Sequence, residues 1–230
     1  MPRPAMIFAA GFGTRMGALT KDRPKPMIEV SGKPLINHSL EFLRNGGVTK
    51  IVINTHYHAD LLEQHLAKEP DVQTIREEPE ILETGGGLRN AMRLFGTAPV
   101  MTLNSDIVWP GRNPVADLDA AWDPIKMDAL LVLIPLEKAV GFEGRGDFAI
   151  DAEGRLSRAE NAPYLYTGLQ IIKTETLPHY KEAKFSLSKV WDDLITERRA
   201  YGMIFDGAWV DVGKPDGINL AQQALENKHV

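Results

Sequence analysis

Short apolar runs alternate with amphipathic stretches along the first half of the chain. The apolar runs are typical of buried strands and comprise AMIFAA (5–10), KIVINT (50–55), VQTIRE (72–77) and PVMTLNSD (99–106). The stretches between them favour helices and comprise PLINHSLEFLRNGG (34–47), DLLEQHLAKE (60–69) and GGLRNAMRLF (86–95). Because strands and helices alternate, we predict a parallel sheet with helices on both of its faces.

The second half of the chain departs from this alternation. Residues 145–159 favour an antiparallel hairpin, because apolar and polar residues alternate before a turn ending at Gly154. Around the hairpin we predict further strands and helices, namely strands at 129–136 and 164–173 and helices at 186–199 and 214–228. With no repeat, low-complexity tract or linker, residues 1–230 are predicted to form one α/β domain with an antiparallel addition.

Composition and charge narrow the classes of function. The 230-residue chain is 43% hydrophobic and 25% charged, as expected of a globular protein, and its net charge of -5 disfavours nucleic acid as the main partner. It contains no cysteine, which excludes disulfides, thiol nucleophiles and thiolate zinc sites. It shows neither a signal-peptide pattern nor a run of about 20 apolar residues. We therefore expect a cytoplasmic protein with no membrane segment.

A glycine-rich segment with basic residues, AAGFGTRMGALTKDRPKP (9–26), directly follows the first predicted strand. It does not fit the dinucleotide pattern G-x-G-x-x-G, because its third glycine falls one residue too late, and the Walker pattern is also absent. Gly11 and Gly13 still permit close approach of a ligand to the backbone. Arg15 and Lys25 supply cations. Since parallel sheets bind ligands at the carboxyl ends of their strands, the segment indicates a phosphate-binding loop.

Motifs rich in glycine, proline and acidic residues are spread along the whole chain. They comprise AAGFGTRM (9–16), RPKPMIEVSGKPLI (23–36), ETGGGLRNA (83–91), LNSD (103–106), GRGDF (144–148), YTGLQII (166–172) and WVDVGKPDGI (209–218). In this order they resemble the sugar-1-phosphate nucleotidyltransferases, whose signature is roughly A-A-G-x-G-T-R-[LM] followed by P-K-[PA]-[LM]. The resemblance implies a Rossmann-like nucleotidyltransferase fold. That fold has a mixed, mostly parallel central sheet with helices on both faces and a small antiparallel sugar-binding addition.

The resemblance also implies a reaction, the transfer of a nucleotidyl group from a nucleoside triphosphate to a sugar 1-phosphate with release of pyrophosphate. A phosphate oxygen of the sugar would attack the α-phosphorus directly. The protein then has to align two anionic substrates and to neutralise the charge that develops between them. No covalent nucleophile is needed, so the lack of cysteine is no obstacle.

Two aspartates are expected to bind a metal ion. Asp106 ends a predicted strand, and Asp211 lies in the WVDVG motif far along the chain. Each of them alone is more often a turn residue or a helix cap. In the family these two positions carry the metal, and the resemblance therefore implies that they bind Mg²⁺, for which carboxylate oxygens are suitable ligands.

The resemblance assigns further residues to the nucleotide. The catalytic residues implied are Arg15, Lys25, Asp106 and Asp211. The residues expected to contact the nucleotide are Ala9, Ala10, Gly11, Gly13, Thr14, Arg15, Lys25, Glu78, Thr84 and Gly85. Glu78 stands where many relatives have a glutamine that hydrogen-bonds a pyrimidine. Thr84 and Gly85 are equally compatible with a helix start, since threonine caps helices and glycine tolerates close packing.

The sugar 1-phosphate is expected to contact a second set of residues, by resemblance Asn104, Gly146, Asp147, Glu160, Thr167 and Asp211. Longer relatives carry E-K-P, whose lysine binds the sugar phosphate, where this chain has Glu160-Asn161-Ala162. Arg145 and Arg158 are therefore the candidate cations for that phosphate. His56 and His58 have no acidic or thiol partner at ligand spacing, and we interpret them as loop residues.

The length of the chain and its set of motifs indicate which substrates to expect. Both resemble most the family members that use UTP and N-acetylmuramate 1-phosphate in peptidoglycan recycling. Within the same class, GTP with mannose 1-phosphate and a cytidylyltransferase of a small phosphate stay open. A non-catalytic nucleotide-sugar-binding regulator is the alternative from another class, but binding alone would not need both the cations and the metal-binding acids. We expect a monomer or homodimer whose partners are its substrates, with no nucleic acid and no membrane.

Overall fold

The computed structural model describes residues 3–96 and 98–227. Its strands are β1 (Ala5–Phe8), β2 (Glu29–Val30), β3 (Lys33–Pro34), β4 (Ile51–Thr55), β5 (Val72–Arg76), β6 (Val100–Asn104), β7 (Ile107–Val108), β8 (Ala129–Pro135), β9 (Ala149–Ile150), β10 (Leu156–Ser157), β11 (Tyr164–Ile172), β12 (Ala200–Ile204) and β13 (Val210–Asp211). Its α-helices are α1 (Leu35–Asn45), α2 (Ala59–Leu66), α3 (Glu83–Phe95), α4 (Val115–Ala121), α5 (Leu187–Thr196) and α6 (Asp216–Glu226).

Seven strands form the central sheet, in the order β12-β8-β11-β6-β1-β4-β5. Neighbouring strands run parallel except at β11, which is antiparallel to both β6 and β8. The carboxyl ends of β1, β4 and β6 therefore meet the amino-terminal end of β11 at one edge of the sheet. The predicted mixed, mostly parallel sheet is confirmed.

The helices cover both faces of this sheet, as predicted. The side chains of α1, α2 and α4 pack with one face, and those of α3 and α5 pack with the other. Strands β1, β4, β6 and β8 are almost entirely buried, which explains why they consist of consecutive apolar residues rather than of alternating ones. Burial on both faces fixes the sheet, and the sheet fixes the loops at its edge.

Three two-stranded antiparallel ribbons complete the fold. Strands β9 and β10 confirm the hairpin predicted within residues 145–159. Strands β7 and β13 pair residues that lie far apart in the sequence, with Asp211 opposite Ile107. This second ribbon was not predicted, and it brings the segment after β6 next to the segment before α6.

Some element boundaries differ from those predicted. The helix predicted at 186–199 ends at Thr196, and the chain continues into the edge strand β12, which was missed. The helix ends because Arg198 takes a left-handed conformation with φ 59°. Such a helix end is usually marked by a glycine, and the sequence has none at this position. Helix α3 begins at Glu83, three residues earlier than predicted. The helix predicted at 214–228 spans Asp216–Glu226, and residue 228 lies outside the described residues.

Membrane crossing by a helix would need a long apolar segment. Within residues 3–96 and 98–227, no helix combines the length and the apolar character that spanning a bilayer requires.

Candidate active site

A cavity of about 270 Å³ opens at the edge of the sheet where β1 and β6 end. Ten of the residues predicted for the site line it, namely Ala9, Ala10, Gly11, Gly13, Thr14, Arg15, Lys25, Thr84, Asn104 and Asp106. The remaining lining residues are Phe8, Pro26, Asn54, Ile81, Glu83, Ser105 and Gly213. The structure thus brings together the glycine-rich loop, the LNSD motif and the first turn of α3.

The glycine-rich loop contains the 3₁₀ segment Thr14–Thr20, which is kinked at Gly17, and leads into a second 3₁₀ turn, Lys25–Met27. Gly13 has φ +64°, and a Cβ atom there would lie 2.9 Å from Cγ2 of Thr20 and 3.0 Å from Cβ of Lys25. The Thr20 hydroxyl also donates a hydrogen bond to the Gly13 carbonyl at 3.1 Å. Gly13 is therefore required both by its backbone conformation and by close packing. This packing holds the Gly13 backbone against the side chain of Lys25.

Lys25 and the two aspartates meet beside the β7–β13 ribbon. The ribbon holds the acids together, because Asp211 pairs with Ile107 and the backbone N–H of Val212 donates to the Asp106 carbonyl at 2.9 Å. The Lys25 ammonium donates to Oδ2 of Asp106 at 2.6 Å, and Lys25 is only 8% exposed. One buried cation is thus matched to one of two neighbouring carboxylates.

Asp211 forms no such ion pair with any residue in the described part of the chain. Burial, with the negative charge of Asp106, raises the pKa of Asp211 to about 6, although Lys25 and Arg15 act in the opposite direction. Arg15 is near, since a Cβ added to Gly213 would lie 3.1 Å from Nη1 of Arg15 and 2.8 Å from Oδ2 of Asp211. Arg15 is itself exposed at the mouth of the cavity.

These groups fit a divalent cation. Asp106 lines the cavity, whereas Asp211 lies beside it and is not part of the lining. Lys25 and Arg15 are the cations near these two carboxylates, and the pKa of Asp211 is raised in spite of them. The carboxylate oxygens are donors of the type that Mg²⁺ prefers, and two protein ligands leave room for water and phosphate oxygens. No group of three or more acids or histidines at metal-binding distance occurs among the residues that the structure describes. The donor set therefore suits an ion that is shared with a bound phosphate.

The ETGGG motif forms the first turn of α3 beside the cavity. Thr84 lines the cavity, but its hydroxyl also accepts a hydrogen bond from the Leu187 backbone at 2.9 Å. Gly85 does not line it, because it packs against Phe185, whose ring would overlap with a Cβ at that position. Glu78 does not line it either, and its exposed carboxylate lies 3.8 Å from the Arg76 guanidinium. Of these three predicted contacts, the structure places only Thr84 at the cavity.

Asn104 and the YTG segment meet where β6 and β11 pair. Gly168 has φ +89°, and a Cβ there would lie 2.9 Å from Cβ of Asn104, so the glycine makes room for that side chain. Thr167 faces the other side of the sheet. It is fully buried, and its hydroxyl donates to the Val132 carbonyl at 2.8 Å. Its side chain is therefore held in the core and does not reach the cavity.

The β9–β10 hairpin carries the other residues predicted to contact the sugar. Asp147 joins the hairpin to β11, since its Oδ2 accepts from the Tyr166 backbone at 2.9 Å, and burial raises the pKa of its carboxyl. Gly146 packs so closely on the Ala162 carbonyl that any side chain would overlap with it. Glu160 is exposed. The structure does not bring these residues to the lining of the cavity.

The two arginines proposed for the sugar phosphate differ in their surroundings. Arg158 stacks over the Phe148 ring at 4.3 Å and donates to the Asp192 carboxylate at 2.8 Å and to the Ser188 hydroxyl at 2.7 Å. Arg145 is exposed. Arg158 is therefore committed to holding the hairpin against α5, which leaves Arg145 as the candidate.

The histidines that sequence analysis interpreted as loop residues follow β4. Nδ1 of His56 lies 2.8 Å from the Glu77 carbonyl, and Nε2 of His58 lies 3.0 Å from the Lys21 carbonyl. Both distances indicate hydrogen bonds to backbone. They tie the β4–α2 loop to its neighbours and account for the two side chains without a metal.

A polar pair behind the cavity, Asn54 and Glu77, was not predicted from the sequence. Asn54 lines the cavity and accepts a hydrogen bond from the Ala9 backbone at 2.8 Å. Its amide donates to Glu77 at 2.8 Å, and Glu77 is completely buried. The only signal in the sequence was a polar residue near the end of each of two predicted strands.

Comparisons with known proteins agree with this geometry. Residues 4–122 match the profile of the family described as nucleotidyl transferase. The chain is 40% identical to N-acetylmuramate alpha-1-phosphate uridylyltransferase of Caulobacter vibrioides, with 97% of each chain covered. It is 27% identical to mannose-1-phosphate guanyltransferase beta-B of Xenopus laevis, where 98% of this chain covers 66% of that protein.

Solved structures share the fold. HddC of Yersinia pseudotuberculosis, in complex with GMP-PN, superposes with a TM-score of 0.78 at 22% identity, covering 96% of this chain and 98% of the other. A putative glucose-1-phosphate thymidylyltransferase of Bacillus anthracis superposes with a TM-score of 0.79 at 17% identity, covering 99% and 96%. With the profile match and the 40% identical relative, the conclusion is that the chain belongs to the sugar-1-phosphate nucleotidyltransferases of the nucleotidyl transferase family.

Proposed function

We propose that this protein transfers the uridylyl group of UTP to N-acetylmuramate 1-phosphate, as a single nucleotidyltransferase domain. The observation that carries this proposal is the 40% identity, over nearly the full length of both chains, to an enzyme named for that reaction. Relatives named for mannose 1-phosphate and a guanyl group are 26–29% identical. The cavity at the edge of the sheet is the proposed nucleotide site.

The proposed reaction is a displacement at the α-phosphorus of the nucleotide by a phosphate oxygen of the sugar. Arg15 lies at the mouth of the cavity and can hold two phosphate oxygens of the departing pyrophosphate. Lys25 already forms a salt bridge with Asp106, so it is placed to balance charge between the metal-binding acids and the triphosphate. Gly11, Gly13 and Thr14 line the same cavity, where their backbone N–H groups can donate to phosphate oxygens. The protein thereby contributes alignment and charge neutralisation.

Asp106 and Asp211 are the proposed ligands of Mg²⁺. When bound, the ion would neutralise phosphate charge and hold the two substrates together. Lys25 would hold the Asp106 carboxylate in place through its hydrogen bond, and the β7–β13 ribbon would keep the two carboxylates side by side.

The proposed sugar site lies beside Asn104, toward the β9–β10 hairpin. Asn104 lines the cavity and can donate to a sugar or ribose oxygen. Asp147 and Glu160 are proposed to face the sugar hydroxyls only after the hairpin adjusts, since neither lines the cavity. Arg145 is the proposed cation for the sugar phosphate or for the lactyl carboxylate of N-acetylmuramate.

The setting of this reaction follows from its substrates. N-acetylmuramate belongs to peptidoglycan, so we propose a place in peptidoglycan recycling and a location in the cytoplasm, where nucleoside triphosphates are found. We also propose that the protein is a monomer or a homodimer.

A substrate panel tests the proposal. Purified protein with Mg²⁺ is given each of four nucleoside triphosphates with the 1-phosphates of N-acetylmuramate, N-acetylglucosamine and mannose, and pyrophosphate release is measured. We expect the highest kcat/KM for UTP with N-acetylmuramate 1-phosphate. A higher value for GTP with mannose 1-phosphate would replace the proposed substrates. Nucleotide-sugar binding without turnover of any pair would indicate a regulatory protein instead.

The raised pKa of Asp211 predicts how stability depends on pH in the absence of metal. Its pKa is about 6 in the folded chain against an ordinary 3.8, so folding favours the protonated carboxyl. The associated stability is complete below the ordinary value and is lost as pH rises through about 6. Between pH about 4 and about 7.5 in EDTA, we expect wild type to lose about 2–3 kcal/mol relative to Asp211→Asn.

Urea unfolding of both proteins at the two pH values measures this difference. Adding Mg²⁺ at the higher pH should restore wild type and leave Asp211→Asn unchanged, because only wild type keeps both carboxylates. If the two proteins change in parallel with pH, Asp211 does not carry the titration.

A further inference from the structure

Glu77 occupies an unusual place for a carboxylate. It follows β5 and is completely buried between the sheet and the first turns of α3, although Glu78 beside it is exposed. Its two oxygens accept hydrogen bonds from N–H groups rather than from a lysine or an arginine. Oε1 accepts from Nδ2 of Asn54 at 2.8 Å, and Oε2 accepts from the Leu82 backbone at 2.7 Å. A buried acid with such partners needs an explanation.

The hydrogen bonds through Glu77 connect two walls of the cavity. The side-chain oxygen of Asn54 accepts a hydrogen bond from the Ala9 backbone N–H at 2.8 Å. A continuous chain therefore runs from Leu82 through Glu77 and Asn54 to Ala9. Ala9 begins the glycine-rich loop, and the residues on either side of Leu82, Ile81 and Glu83, line the opposite wall. These three hydrogen bonds therefore link the two walls of the cavity.

The third glycine of the ETGGG motif is explained by the same pair. A Cβ on Gly87 would lie 2.5 Å from Oε1 of Glu77 and 3.0 Å from Nδ2 of Asn54. The absence of a side chain at Gly87 thus allows α3 to pack directly against the hydrogen-bonded side chains of Glu77 and Asn54. The amino-terminal part of a helix also favours a negative charge nearby, which suits a carboxylate at this position.

We infer that Glu77 is a positioning residue for the nucleotide, acting through Asn54 and Leu82 on the two walls that enclose it. A carboxylate is needed because both of its oxygens must accept, and glutamine offers only one acceptor. The inference rests on the proposed function only in taking this cavity as the nucleotide site. The sugar 1-phosphate, which is proposed to bind toward the hairpin, should be insensitive to Glu77.

The test is Glu77→Gln with Glu80→Gln as the matched control, since Glu80 is an exposed glutamate in the same segment. In Glu77→Gln one N–H of the new amide must face another donor, either Leu82 N–H or the Asn54 amide. We expect the KM for the nucleotide to rise about tenfold, with kcat and the KM for the sugar phosphate within about threefold of wild type. Glu80→Gln should match wild type in all three constants.

A reciprocal double variant, in which Glu77→Gln is combined with Asn54→Asp, provides the rescue. The new amide at position 77 can donate to the new carboxylate at position 54 and accept from the Leu82 backbone. That carboxylate still accepts from Ala9, so all three hydrogen bonds are possible with unchanged net charge. We expect the nucleotide KM of the double variant to recover to within about threefold of wild type, whereas Asn54→Asp alone should be worse, because it sets two carboxylates against each other. A double variant no better than Glu77→Gln would overturn the inference.

If the role of Glu77 is only to stabilise the fold, the measurements should differ from those expected above. Such a role would lower the melting temperature of Glu77→Gln and leave its nucleotide KM equal to that of Glu80→Gln, which would also overturn the inference. Should Glu77→Gln not fold, Glu77→Asp keeps the charge but shortens the reach, and the same comparison of the two KM values decides. All variants are assayed with the best pair from the substrate panel. If the proposed substrates are wrong, the kinetics of wild type in the substrate panel show it. If the inference about Glu77 is wrong, only the kinetics of the variants show it.

Discussion

Loss of either metal-binding carboxylate should nearly abolish turnover. For Asp106→Ala and for Asp211→Ala we expect kcat to fall on the order of 10³-fold or more, because two anionic phosphates would then meet without the ion that neutralises and aligns them. The two variants should be similar, since the β7–β13 ribbon sets both carboxylates at one place. Steady-state pyrophosphate release measures the effect, and EDTA added to wild type should reproduce it.

Asp216→Asn is the matched control, because this aspartate is exposed at the start of α6, close to Asp211 in the sequence. Its turnover should equal that of wild type. Circular dichroism should show both alanine variants folded, and Asp211→Ala should be no less stable than wild type in EDTA at neutral pH. Turnover near the wild-type value in either alanine variant would remove that carboxylate from the metal site.

The sequence was most informative where burial is complete. Strands β1, β4, β6 and β8 are recognisable because both of their faces are covered, so their residues are apolar in succession. The glycine-rich loop was also predictable, since its position after β1 follows from the geometry of parallel sheets. Ten predicted residues line the cavity for this reason and because the motifs stand in the order of the family.

Long-range pairing was not predictable from local pattern. Strands β7 and β13 contribute two residues each, too few to produce any alternation in the sequence, and their partners lie far apart in the chain. Strand β12 was missed because the chain turns out of the preceding helix at Arg198, two residues after the helix ends at Thr196. The left-handed conformation of Arg198 is uncommon for a residue other than glycine. In both cases tertiary contacts, not local preference, decide the structure.

One residue that was not predicted and one predicted residue that lies away from the cavity each have a specific physical cause. Glu77, Glu78 and Glu80 form an acidic stretch that is ordinarily a solvated surface, and only packing against α3 shows that Glu77 is buried while Glu78 is not. Thr167 was chosen from its motif, although the alternation of β11 placed it with Leu165 and Leu169 on a covered face. The burial of Thr167 could therefore have been predicted from the alternation of β11, whereas nothing in the sequence distinguishes Glu77 from Glu78.

Removal of the Lys25 ammonium should have the second-largest effect on turnover. In Lys25→Met we expect kcat/KM for the nucleotide to fall about 100-fold, because two charge-assisted contacts disappear together. One is the proposed contact with the triphosphate, and the other is the 2.6 Å hydrogen bond to Asp106, which leaves that acid without its cation. Since Lys25 also lowers the pKa of Asp211, the pKa of that carboxyl should rise further in the variant.

Lys21→Met is the control for Lys25→Met, since Lys21 is an exposed lysine in the same loop. It should retain wild-type kinetics, which separates the position of the charge from its presence in the loop. The expected rise in the pKa of Asp211 can be measured independently. In EDTA, the part of the folding free energy that is linked to protonation of Asp211 should be lost at a higher pH in Lys25→Met than in wild type. Unchanged nucleotide kinetics in Lys25→Met would show that this buried ammonium only compensates Asp106, and the proposed triphosphate contact would then pass to Arg15 alone.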